Sequence, residues 1–290
     1  MTFPTLRKYE ITRKICKKYC FTLYEATDRQ TDEKVYLKIL DEKLRAERSH
    51  AYSFLKSARL GGVLDHDGIA RIFHYGKERE HYVIASESYH LKPLNLFIHE
   101  NFPLTFNRVL DIVVQISQVL RHAHLHGVVH GLLKPSSIFL AADESIKIDD
   151  FCFHWLAPYL HELEDAEAIY LSYHIAPEVY KGREIDGRSD IYSLGVIFLQ
   201  LLTDYVPFKY LDHFSIPNKR LNISMGTMRE LFPQYPKRVQ VILARTLTQD
   251  PERRFQSLGQ FEKELQELRG EYFYEMELSH LENEWLHTES

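Results

Sequence analysis

The chain has 290 residues, 44% of them hydrophobic and 27% charged, with a net charge of −5. A chain of this length buries about 75% of its unfolded surface, so it needs neither a disulfide nor a metal to fold. No long Lys/Arg block marks a nucleic-acid footprint. The apolar run Ser193–Leu202 is far shorter than the ~20 residues of a membrane span, and Met1–Lys14 lacks the apolar stretch of a signal peptide. Cys16, Cys20 and Cys152 are an odd, sparse set, which argues for a reducing compartment. Cys16 and Cys20 have no second pair with which to complete a zinc site. The expectation is a cytosolic protein with no nucleic-acid or membrane partner.

Taken in order, Tyr9–Ile15, Thr22–Asp28 and Lys34–Leu40 read as strands, with the polar turn Thr27–Lys34 between the last two. Asp41–Leu64 has helical spacing, carried by Leu44, Ala51, Phe54, Leu55 and Ala58. Strands are expected again at Ile69–Tyr75 and His81–Ser86. In Phe106–Gly127, Val109, Ile112, Val113, Ile116, Val119 and Leu120 make one apolar face, and Gly127 stands where a helix-ending glycine is expected. Short strands follow at Ile138–Ala141 and Ile146–Ile148, then helices at Asp190–Leu202, Pro236–Leu247 and Ser257–Arg269. The pattern predicts an α+β chain of two lobes, joined near Ser86–Leu96. Residues 1–88 form a small β-rich lobe and residues 89–269 a larger helical one. Residues 270–290 are an acidic, aromatic tail or linker.

Five motifs occur in order. They are His130-Gly131-Leu132-Leu133-Lys134-Pro135-Ser136-Ser137, Lys147-Ile148-Asp149-Asp150-Phe151-Cys152, Ala176-Pro177-Glu178, Asp190-Ile191-Tyr192-Ser193-Leu194-Gly195 and Asp250-Pro251-Glu252-Arg253-Arg254-Phe255. Together they resemble the H-R-D, D-F-G, A-P-E and D-x-x-S-L-G landmarks of protein kinases, in phrasing closest to the bacterial serine/threonine kinases. The resemblance covers about Tyr9 to Leu268 and implies the two-lobed protein kinase-like fold. It also implies a Glu178–Arg254 ion pair, Asp190 holding the catalytic loop, and His130 packed beneath Phe151.

At the chemical positions the resemblance thins. Phosphoryl transfer needs a carboxylate near the acceptor hydroxyl, metal ligands and donors around the phosphates. The base position is Leu132, the second metal-ligand position is Ser137, and Gly131 replaces the motif arginine. The glycines of the phosphate-covering loop become Cys16, Lys18 and Phe21, and Lys17 and Lys18 read as a solvated basic turn, with attraction of an anion the alternative. Lys38 keeps the strand position that contacts phosphate. Its usual glutamate partner aligns near Ser57, with Glu47 too far away, which leaves the lysine poorly oriented. Tyr36 and Phe139 take the roof and floor of the adenine slot and are expected to face each other and fill it. Asp150 matches the metal-binding aspartate, a possible Mg²⁺ ligand, and Phe151 fixes the register against Asp149. Lys38, Lys134 and Asp150 are then either remnants of a nucleotide site or an internal salt-bridge cluster, the second being favoured. Leu171 replaces the threonine before Ala176-Pro177-Glu178, and Tyr170, Ser172 and Tyr173 are possible phosphorylation sites.

Three functions follow. The leading one is a pseudokinase scaffold or regulator that holds another protein, an active kinase or a regulated enzyme, without a cofactor. The region of the first helix and the tail from Gly270 are its expected contact surfaces. The alternatives are a nucleotide-sensing switch that binds ATP and Mg²⁺ without turnover, and an atypical serine/threonine kinase or nucleotidyl transferase using His154 or Asp149 as base.

Overall fold

In the computed structural model the described residues are 3–162, 173–204 and 225–272. Strands β1 (Tyr9–Lys17), β2 (Phe21–Asp28), β3 (Lys34–Leu40), β4 (Ile72–Glu78) and β5 (His81–Glu87) form an antiparallel sheet in the order β1-β2-β3-β5-β4. The two-residue period of a strand sorts its side chains. Val35, Leu37 and Ile39 face an outer apolar layer with Leu6, Tyr9, Tyr24, Ala26, Val83 and Ala85. Tyr36 and Leu40, like Phe21 and Leu23, turn inward to the main core. The same alternation puts Lys38 on the inner face.

The predicted helix over Asp41–Leu64 divides into α1 (Glu42–Arg45) and α2 (Arg48–Gly61). Asp41 caps the first by accepting from Lys43 N, and Glu47 between them is extended, at φ −95° and ψ 120°. The strand expected from Ile69 begins at Ile72 instead. Residues 68–70 pair with the other lobe: Ile148 N donates to Gly68 O at 2.8 Å and Ala70 N to Ile148 O at 3.0 Å.

Beyond β5 come β6 (Lys92–Pro93), α3 (Leu94–Asn101) and α4 (Phe106–Leu125), followed by β7 (Ile138–Leu140) and β8 (Ile146–Ile148). A 3₁₀ helix follows at Phe153–Glu162. Helices α5 (Pro177–Tyr180), α6 (Gly187–Thr203), α7 (Met225–Leu231), α8 (Lys237–Thr246) and α9 (258–272) complete the lobe. Helix α6 is buried from Ser189 to Leu202 and forms the axis of the lobe. The apolar face of α4 packs there. Helix α9 runs past the expected end at Arg269, so residues 270–272 continue the helix. The rest of the predicted tail lies outside the described residues.

The scaffold charges occupy the implied positions. Asp190 Oδ2 accepts from His130 N at 2.8 Å and Oδ1 from Gly131 N at 2.7 Å, and His124 Nε2 lies 2.8 Å from Oδ2. The His130 and Phe151 rings are 4.8 Å apart. Arg254 meets Glu178 in a bidentate pair at 2.6 and 2.8 Å. Its remaining donors go to Arg188 O, Thr248 O and Gln249 O, so all five N–H groups of the buried guanidinium are used. Arg254→Met leaves Glu178 buried and uncompensated, and a loss of about 3–5 kcal/mol is expected in urea unfolding.

Burial depresses the imidazole pKa of fully buried His130, and nearby Asp190 and Asp150 offset this only in part. His74 and His154 shift the same way, again chiefly through burial. Below the unperturbed value of about 6.5 the unfolded chain takes up protons that the folded chain resists, so stability falls with pH. The urea midpoint is expected to drop between about pH 7.5 and about pH 5.5, and His130→Asn should reduce that slope.

Candidate active site

The cleft between the lobes is occupied by side chains of the chain itself. Lys18 N donates to Phe21 O at 2.8 Å and closes the β1–β2 turn, and Lys18, Tyr19, Cys20 and Phe21 are all buried. The solvated basic turn expected at Lys17 and Lys18 is therefore corrected for Lys18. Lys17 pairs with Asp41 at 3.1 Å and stays exposed. The Lys18 ammonium enters the cleft and lies 2.6 Å from Asp150 Oδ2. A glycine here would have no charge to place. A lysine that follows the same turn must find a carboxylate, because burying a bare ammonium is costly.

Lys38 Nζ lies 2.6 Å from Asp149 Oδ1 and 2.7 Å from Asp150 Oδ1. The lysine expected to lack orientation is instead fixed by two carboxylates. The Lys38–Asp150 cluster read from the sequence is thus wider, because it includes Lys18, Asp149 and Tyr89. Tyr89 OH donates to Asp149 Oδ2 at 2.7 Å, and Asp150 N donates to Asp149 Oδ1 at 2.7 Å. Burial alone would raise the Asp150 pKa, but Lys18 and Lys38 outweigh it and hold the carboxyl far below its usual range. Burial likewise works against charge on Lys38, yet Asp149 and Asp150 raise its pKa. Tyr89 is pushed well up by burial and then by Asp149.

Tyr36 and Phe139 do not stack on each other. Tyr89, from the linker between β5 and β6, stands between them. Its ring lies 5.0 Å from Tyr36 at 76° and 4.8 Å from Phe139 at 61°. Tyr36 OH donates to Tyr89 O at 2.6 Å, which fixes the linker backbone. Sequence reasoning found the two outer rings and missed the middle one. Tyr89 belongs to no motif, and its direction is set by Asp149, 60 residues further on.

The remaining motif positions are held by core and turn contacts. Leu132 is buried in the apolar core. Ser137 Oγ donates to Lys134 O at 2.8 Å and accepts from Lys134 N, so it caps its own turn. Lys134 Nζ sits 4.6 Å from the Tyr19 ring centre. Gly131 has φ +78°, and a Cβ there would come 2.6 Å from His154 Cβ, so His154 occupies the space over the missing arginine. Ser57, at the absent glutamate, donates to Cys152 O at 2.7 Å and accepts from Trp155 Nε1 at 3.0 Å. Helix α2 is therefore tied to the segment after Phe151 rather than to Lys38. Phe21, Phe54 and Phe153 fill the space beneath, with ring centres 5.7–6.5 Å apart. Cys20 and Cys152 are buried, and burial raises both thiols, Cys152 to about 12. Cys16 is half-buried. Tyr173 is buried rather than exposed, while Tyr170, Leu171 and Ser172 lie outside the described residues.

Comparison with known proteins agrees with this architecture. A probable serine/threonine-protein kinase of Clostridium acetobutylicum is 25% identical over 265 residues, which are 91% of this chain and 40% of that protein. The serine/threonine-protein kinase PrkC of Bacillus subtilis is 28% identical over 258 residues, 89% of this chain and 40% of PrkC. The chain thus spans about two fifths of the length of these curated relatives. The crystal structure of the Mycobacterium tuberculosis PknI kinase domain superposes with a TM-score of 0.72 at 22% identity, covering 91% of this chain and 97% of that one. A family model described as the protein kinase domain matches residues 9–265. The chain belongs to the protein kinase domain family.

Proposed function

We propose that this chain is a pseudokinase, a kinase-fold module that works by holding another protein rather than by transferring phosphate. The observation that carries this reading is Asp150, whose two carboxylate oxygens are taken by the ammonium groups of Lys18 and Lys38. The family implies ATP with Mg²⁺, and the residues present do not fit that complex. A hard divalent ion needs carboxylate oxygens, and Lys18 and Lys38 hold both of Asp150's. An adenine needs a flat slot, and Tyr36, Tyr89 and Phe139 fill it. Neither base candidate is placed for acid–base work. Asp149 is held by Lys38 and Tyr89, and His154 packs on Gly131.

What remains intact is the scaffold: Asp190, Glu178 with Arg254, and His130 on Phe151. A chain that keeps its costly buried ion pairs while its chemical positions are filled retains a shape and its surfaces. Tyr52 on α2, Val63 just beyond it, and Phe73 and Tyr75 on the edge strand β4 are exposed apolar or aromatic side chains that a partner could cover. The partner proposed is an active kinase or a regulated enzyme. The curated relatives named as kinases supply the fold and the general chemistry of the family.

The test is a thermal shift with ATP, with and without Mg²⁺ or Mn²⁺, together with a phosphotransfer assay on the same preparation. A ligand at 100 times its Kd stabilises by ~2.7 kcal/mol, which such a scan resolves. No shift and no transfer are expected in the wild type. A metal-dependent shift without turnover would replace this reading with the nucleotide-sensing switch. Turnover abolished by Asp150→Ala would replace it with an atypical kinase or nucleotidyl transferase.

A further inference from the structure

The misfit between this cleft and a metal has a chemical form of its own. Each of the four oxygens of Asp149 and Asp150 has a hydrogen-bond donor or an ammonium beside it, Asp150 Oδ1 through an ion pair with Lys38 rather than a hydrogen bond. Asp150 Oδ2 has Lys18 and Oδ1 has Lys38. Asp149 Oδ1 has Lys38 and the Asp150 amide, and Oδ2 has the Tyr89 hydroxyl. Lys38 alone would give Asp150 one positive charge. Lys18 supplies a second, so the carboxylate meets the charge that a divalent ion would bring, delivered by two tethered ammonium groups.

The placement of Lys18 is built. The turn hydrogen bond from Lys18 N to Phe21 O folds the β1–β2 tip inward. Tyr19 lies against Lys134 of the lower lobe. Phe21 packs on Phe54 of α2 and on Phe153, which follows Cys152. The ammonium is therefore carried to Asp150 on a rigid arm, in an environment where the pair is nearly water-free and screening is weak.

We propose that Lys18 is a resident cation that replaces a divalent metal at Asp149 and Asp150, so that the cleft is held shut without any ligand. Removing its charge would leave a latent site for a hard divalent cation such as Mn²⁺ or Mg²⁺. The inference rests on the pseudokinase reading, but its test contains no nucleotide, so the two fail separately.

The experiment is Mn²⁺ binding followed by loss of the free-ion EPR signal. It uses the wild type, Lys18→Met, Lys17→Met, Asp150→Asn, and Lys18→Met combined with Asp150→Asn. Lys18→Met keeps the aliphatic stem and removes the charge. It is expected to bind Mn²⁺ at least about tenfold more tightly than the wild type, because the charge balance of the ligand set governs affinity for such ions. Asp150→Asn should abolish the gain, and Lys17→Met, on the exposed side of the turn, should show none. Lys18→Gln, which retains a donor for Asp150, gives the same readout should Lys18→Met unfold. Wild-type Mn²⁺ binding lost in Asp150→Asn would overturn the proposal, as would a folded Lys18 variant that binds no better than the wild type.

Discussion

Two adjacent carboxylates lie buried at the centre of this molecule, and much of its arrangement answers the need to neutralise them. Ions taken out of water cost several kcal/mol each unless opposite charges and hydrogen bonds compensate. Asp149 and Asp150 are compensated from three directions: by the β1–β2 turn through Lys18, by β3 through Lys38, and by the interlobe linker through Tyr89. Each of these segments is drawn to the same point. The position of the turn, the ring sequence of the slot and the closure of the lobes follow from that one electrostatic requirement.

The other buried charges solve the same problem separately. Arg254 spends all five donors on Glu178 and three backbone carbonyls, and Asp190 collects the amides of the catalytic loop. These networks hold the helical lobe in shape, and through His130, whose ring lies 3.0 Å from Asp149 O, the Asp190 network also reaches the cleft. Leu132 lies in the core and Ser137 closes its own turn, while the Asp190 and Arg254 contacts are also in place.

The scaffold was legible because its signals are local. Strand alternation places Tyr36 and Lys38 on the inner face, helical spacing identifies α4, and short motifs fix Glu178, Asp190 and Arg254. The contents of the cleft were legible only in part. Two lysines in a turn read as solvated, and the fate of Lys18 depends on a carboxylate 132 residues away. Tyr89 carries no motif, and the ring that separates Tyr36 from Phe139 is seated by a hydrogen bond to Asp149 across the lobes. Asp149 was set aside because Phe151 fixed Asp150 as the motif residue, yet a buried neighbour can share the charge without sharing the motif. The break between α1 and α2 falls at Glu47, whose backbone is extended, within a stretch whose spacing is helical throughout.

The segment at residues 68–70 joins the lobes a second time. The covalent connection runs through the linker at Tyr89, and Gly68 and Ala70 add a pair of hydrogen bonds to Ile148 on the opposite lobe. The linker and this backbone pair thus fix where the two lobes meet, and the side chains of Lys18, Lys38 and Ser57 add their own bonds across the cleft beside them.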